Sequence, residues 1–119
     1  MLGNKEKHEA MWQHLIDSVD EIFNLYNSTK ATENDPEWIL MDMKHAFIMQ
    51  NYKEDGHIPF YCYACLECIC DCSDCPIISK AGYCANDDSS AFKMILDAIE
   101  EQDRDKFIKE AGRLKDAWE

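Results

Sequence analysis

Seven cysteines stand at positions 62, 65, 68, 70, 72, 75 and 84, so every cysteine of the 119-residue chain lies within 23 positions. Disulfide scaffolds use cysteines to tie distant segments together, and they belong to secreted chains. Here the count is odd, several cysteines are separated by two residues, and the N-terminal MLGNKEKHEA has no apolar stretch of the kind a secretion signal carries. These features predict thiolates gathered on a metal ion in a reducing cytoplasm.

Two C-x-x-C pairs, Cys62/Cys65 and Cys72/Cys75, fit the spacing at which a tight turn aims two sulfurs at one ion. Two such pairs complete a tetrahedral Zn²⁺ site. Cys84 is a fifth candidate ligand and could replace one member of the second pair, while Cys68 and Cys70 are additional thiols. A closed four-thiolate site leaves no open position for substrate, so the expected role of the zinc is structural. Its binding free energy would become folding free energy for a segment poor in core residues. An iron–sulfur cluster is the alternative cofactor. Cys62, Cys65 and Cys68 form C-x-x-C-x-x-C, three residues separate Cys68 from Cys72, and Cys75 precedes Pro76, but Ser73 follows Cys72 where a ferredoxin run has proline. His57, five residues before Cys62, reads as a surface residue beside so many thiols.

Outside the cysteines the pattern is helical. Trp12, Leu15, Ile16, Val19, Ile22, Phe23 and Tyr26 recur at three- and four-residue steps and predict one amphipathic helix over 9–27. Asp35-Pro36 reads as an N-cap followed by a first-turn proline, opening a second helix that runs to Asp55-Gly56. Trp38, Ile39, Met43, Ala46 and Phe47, with Met49 and Tyr52 as further candidates, supply its apolar content; so broad a stripe suggests a helix covered on two sides, and its tryptophan is expected in the core. A third helix, from about Ser90 to Glu101, carries Phe92, Ile95, Leu96 and Ile99. The break Gln102-Asp103-Arg104 leads to a fourth with Phe107, Ala111, Leu114 and Trp118. So short a link predicts an antiparallel hairpin, with Asp103 as a cap. The expected fold is therefore mainly α, a single domain over 1–119. About four helices in two hairpin-like pairs would surround a cysteine-rich metal-binding knuckle at about 56–88.

Charge narrows the function classes. Twelve Lys and Arg against twenty-four Asp and Glu give a net charge of −12, and residues 56–88 hold one basic and five acidic side chains. A polyanion repels phosphate and anionic lipid, which weighs against direct nucleic-acid binding and against a membrane partner. No apolar run reaches the length of about 20 residues that a span requires. There is no P-loop, G-x-S-x-G elbow, dinucleotide fingerprint or H-E-x-x-H pair. Asp17, Asp20 and Glu21, and again Glu100, Glu101, Asp103 and Asp105, read as solvated helix backs rather than acid–base pairs. The expectation is a non-enzymatic chain.

Cys62-Tyr-Ala-Cys65, then Cys72-Ser-Asp-Cys75-Pro76-Ile77, then Gly82-Tyr83-Cys84 resembles a group of small phage-encoded accessory proteins. These similarly place C-x-x-C, then C-x-x-C-P, then a later cysteine, between helical flanks that contain tryptophan. This chain departs from them by adding Cys68 and Cys70 and by a shorter spacer. The resemblance implies a phage-infected bacterial cytoplasm. Joined to the acidic charge, it suggests an interaction protein with a structural zinc, which binds and inhibits a host defence protein, acting as a nucleic-acid mimic. The alternatives are a zinc-ribbon transcription or nucleic-acid module and an iron–sulfur or redox protein. The helix pairs are also compatible with a homodimer.

Overall fold

The computed structural model describes residues 3–28, 35–58, 61–68, 75–77 and 90–118, with the side chains at 65, 67 and 68 excepted. Among these the chain is mainly helical and contains no strand. The elements are α1 (Asn4–Asp17), α2 (Val19–Ser28), α3 (Pro36–Asn51), a 3-10 turn (Lys53–Asp55), α4 (Tyr63–Cys68), α5 (Ala91–Glu101) and α6 (Arg104–Lys115). None is long and apolar enough to cross a membrane.

The helix expected over 9–27 starts earlier and divides in two. At Ser18 the backbone leaves helical geometry (φ −102°, ψ 15°) and its N–H is shared between the carbonyls of His14 and Leu15, at 3.0 and 3.2 Å. The Ser18 carbonyl accepts from the Ile22 N–H at 3.0 Å, so α2 resumes at once. The apolar stripe survives the break: Met11, Trp12, Leu15, Val19, Ile22 and Phe23 are all buried.

Asp35 and Pro36 open α3 as their sequence predicts. The Asp35 carboxylate accepts the Glu37 N–H at 3.0 Å, satisfying one of the donors that a helix start leaves unpaired. The buried side of α3 is Pro36, Ile39, Leu40, Lys44, Phe47 and Ile48. Trp38 does not belong to it and is 66% exposed, against the expectation of a core tryptophan. At 100° per residue, position 38 lies on the far side of the helix from 36, 40, 44 and 47. The broad apolar content of α3 thus reflects two sides with different surroundings.

The α5–α6 hairpin follows its sequence closely. Ser90 caps α5 by accepting the Lys93 N–H at 3.1 Å, and Asp103 caps α6 by accepting the Lys106 N–H at 3.0 Å. Between them Gln102 adopts the left-handed conformation (φ 58°, ψ 36°), where glycine is usual. The Asp103 N–H reaches the Ala98 carbonyl and the Gln102 N–H the Ile99 carbonyl, which closes the end of α5 as a Schellman turn. Ile95, Ala98, Ile99, Phe107, Ala111 and Leu114 face the core, where Phe107 meets Phe23 edge-on at 5.8 Å.

Helix α1 lies against α3, α4 and α6, which puts it at the centre of the packing. Its His8 is 1% exposed and shares a hydrogen bond of 2.9 Å with the Leu114 carbonyl through Nε2. Lys44 is buried as well, its Nζ lying 5.8 Å from the Trp12 ring centre and 5.9 Å from that of Phe92. The rings offer this cation favourable electrostatic contacts.

Candidate metal centre

The described part of the cysteine-rich segment is seated on the helical body by side chains of its own. Ile58, Tyr63, Ala64 and Ile77 are at most 5% exposed and belong to the main core. This corrects the expectation of a segment poor in core residues. Asp55 supplies the polar anchor. One of its carboxylate oxygens accepts from Lys7 Nζ at 2.8 Å and from the Tyr63 hydroxyl at 3.1 Å. The same Lys7 Nζ sits 5.0 Å from the Tyr52 ring centre, and Tyr52 meets Tyr63 edge-on. Burial, followed by the bond to Asp55, pushes the Tyr63 hydroxyl well above its ordinary ionisation range. The bond to Asp55 likewise holds the Lys7 ammonium above its usual pKa. Three parts of the chain, α1, the 3-10 turn and α4, are therefore pinned at one place.

Cys62 immediately precedes α4, and Cys65 falls in its first turn. The first C-x-x-C pair thus straddles a helix start, the local form in which two residues separate ligands to a single ion. Cys62 is half-buried and packs against the core, and so does Cys75, which precedes a turn at Pro76 and the buried Ile77. Cys72 and Cys84, with Cys70, lie outside the described residues, and the side chain of Cys65 does too, so the thiols of three of the five expected ligands have no structural account. Among the described residues, no three His, Cys, Asp or Glu side chains converge as a ligand set. The thiol donors present are of a type that suits Zn²⁺, and Cys62 and Cys65 would supply one half of a tetrahedral site.

Two features next to Cys62 escape a reading by spacing. Tyr61 has a φ of 49°, a left-handed backbone that bulky residues rarely adopt, and such outliers cluster at ligand-binding sites. Its ring stacks on His45 with centres 4.6 Å apart and planes 29° from parallel. His45 looks isolated in the sequence, but α3 brings it to the residue that precedes the first thiol. The signal lay in its position seven residues after Trp38, on the outer side of that helix. His57 is exposed, in keeping with a surface role. Asp17, Asp20, Glu21, Glu100, Glu101, Asp103 and Asp105 are exposed too, and Asp20 pairs with Arg104 at 3.0 Å on the surface.

Against known protein families, curated proteins and solved structures, the chain finds no match.

Proposed function

We propose that this chain is a non-enzymatic, acidic interaction protein organised by a structural zinc ion. The ligands would be drawn from Cys62, Cys65, Cys72, Cys75 and Cys84. The observation that carries the reading is the confinement of all seven cysteines to 23 positions in a chain of net charge −12. The strained Tyr61 beside the first thiol and the helix start between Cys62 and Cys65 support a fixed ligand position there. The partner would be a protein with a basic, phosphate-binding surface, for which a polyanion competes electrostatically. The phage resemblance points to a host defence protein in the bacterial cytoplasm. A zinc-ribbon nucleic-acid module is the weaker reading. Residues 56–88 contain Lys80 as their one Lys or Arg, and a four-thiolate zinc would add a charge of about −2.

The test is elemental analysis of protein purified under reducing conditions, joined to thermal melting with and without chelator. Close to one zinc per chain and a lower melting temperature in chelator are expected. A metal-free protein whose melting is indifferent to chelator overturns the zinc. Visible absorbance with iron and sulfide replaces it by the iron–sulfur reading, for which the C-x-x-C-x-x-C run at Cys62, Cys65 and Cys68 speaks.

A further inference from the structure

We propose that the outer side of α3, anchored at Trp38 in its first turn, docks a basic polypeptide segment that carries an apolar anchor. The proposal rests on the acidic-interaction reading above and gives it a surface and a partner chemistry. Trp38 is 66% exposed and Met49 39%, in a chain whose other described tryptophans are buried or half-buried. Steps of three and four residues put Trp38, Met41, His45 and Met49 on one side of the helix, opposite Leu40, Lys44 and Phe47. Tyr61 stacks on the His45 of this stripe, and Gly56 leaves room for Met49, whose sulfur lies 2.7 Å from where a Cβ on Gly56 would be. The result is a row that starts at a largely exposed indole in the first turn of α3 and continues through the part-exposed Met41 and His45 to the exposed thioether of Met49. Such strips mark binding surfaces, where single exposed apolar residues do not.

Charge selects the occupant. Asp35, Glu37 and Asp42 are exposed around Trp38, and the one Lys or Arg of α3, Lys44, is buried on the opposite side. An indole face ringed by carboxylates suits a lysine or arginine that lies over the ring while its neighbours pair with the rim. A second copy of this chain would set carboxylates against carboxylates and −12 against −12, which disfavours self-association through this side. Anionic nucleic acid and lipid meet the same repulsion. An amphipathic basic helix, with its apolar row on the Trp38 stripe and its cations on the rim, satisfies both halves of the surface.

The probe is a synthetic amphipathic peptide of leucine and lysine, titrated into the full chain by calorimetry at low and at high salt. A peptide with glutamate in place of lysine is the control. Binding of the lysine peptide is expected to weaken as salt rises and to fall about tenfold or more in Trp38→Ala. Leu25→Ala, an exposed apolar side chain on α2, is expected to leave it unchanged. Because Trp38 is largely exposed, the thermal melt of Trp38→Ala should match the parent, which separates docking from folding. Binding that is salt-sensitive but equal in Trp38→Ala and the parent overturns this surface and leaves the acidic-interaction reading standing. Absence of any binding to the lysine peptide overturns both. Concentration-dependent dimerisation that is lost in Trp38→Ala overturns the proposal in favour of a second copy.

Discussion

Lowering the pH from 7 toward 4 should destabilise this protein through His8 in particular. Burial is the main cause of a folded-state pKa of about 4, against 6.5 for a solvated imidazole. The nearby Lys44 ammonium adds to the depression, and the Leu114 carbonyl opposes it. The neutral ring donates Nε2–H to that carbonyl, while Nδ1 is buried without a hydrogen-bond partner. Between pH 6.5 and 4 the unfolded chain therefore binds a proton that the folded chain does not, and stability falls as pH falls. A difference of about 2.5 pKa units corresponds to about 3 kcal/mol, with roughly half lost by pH ~5 and little further loss below ~4. For a domain of this length that is a melting shift of roughly 10 °C. Carboxylates titrate over the same interval, so the measurement is a comparison. Urea denaturation of the parent and of His8→Gln, which keeps an amide donor but does not titrate there, is followed from pH 7 to 4. The parent should lose about 3 kcal/mol more than the variant across that interval. Parallel curves would refute the assignment of a buried neutral imidazole at the α1–α6 contact.

Three other perturbations test the frame. Gln102→Gly should be neutral or stabilising by up to about 1 kcal/mol, because glycine occupies the left-handed turn without a Cβ clash. It gives up the side-chain bonds to Ile99 and Asn27, and Gln102→Val should lower stability instead, read as the urea midpoint. Asp35→Ala removes the cap of α3 and should cost about 1 kcal/mol, with Asp35→Ser recovering most of it in the same assay. Tyr63→Phe keeps the ring but leaves Asp55 without the hydroxyl, at a cost of about 1 kcal/mol. Asp55→Ala takes the partner from both Lys7 and Tyr63 and should cost more, and equal losses in thermal melts would argue against one shared anchor.

The helices were legible where one apolar side faces the core and a turn residue ends the run. The Asp35-Pro36 start and the Asp103 cap announce themselves, because each residue type solves a local backbone problem, whereas Asp88, Ser89 and Ser90 offer caps for α5 equally and the structure uses Ser90. Ser18 does not announce itself, since the apolar stripe continues across it. Trp38 misled for a related reason: apolar residue type implies burial only on the side that packs, and α3 bears apolar side chains all round. His8 and Lys44 were illegible because polar residue types ordinarily predict solvent. Here the Leu114 carbonyl offsets the burial of one, and the rings of Trp12 and Phe92 are among the contacts of the other.

The thiol spacing pointed to a chemistry, but nothing in it located the segment on the body. The residues that do so, Asp55, Ile58, Tyr63, Ala64 and Ile77, follow neither a period of two nor one of 3.6, so no regular pattern marks them. Their burial changes what a metal would contribute. A knuckle lacking apolar contacts would depend on its ion for all of its order. This segment already places a tyrosine and two isoleucines in the shared core and ties Tyr63 through Asp55 to α1. A thiolate-bound ion would then fix the ends of α4 and of the Cys75–Ile77 turn relative to a surface that packing has positioned. Ion and core would be coupled through Tyr63, which stands directly after Cys62. On the zinc reading proposed above, chelation should therefore loosen the Lys7–Asp55–Tyr63 anchor first and the distant α5–α6 hairpin last, because the hairpin is closed by its own caps and by the Phe23–Phe107 contact.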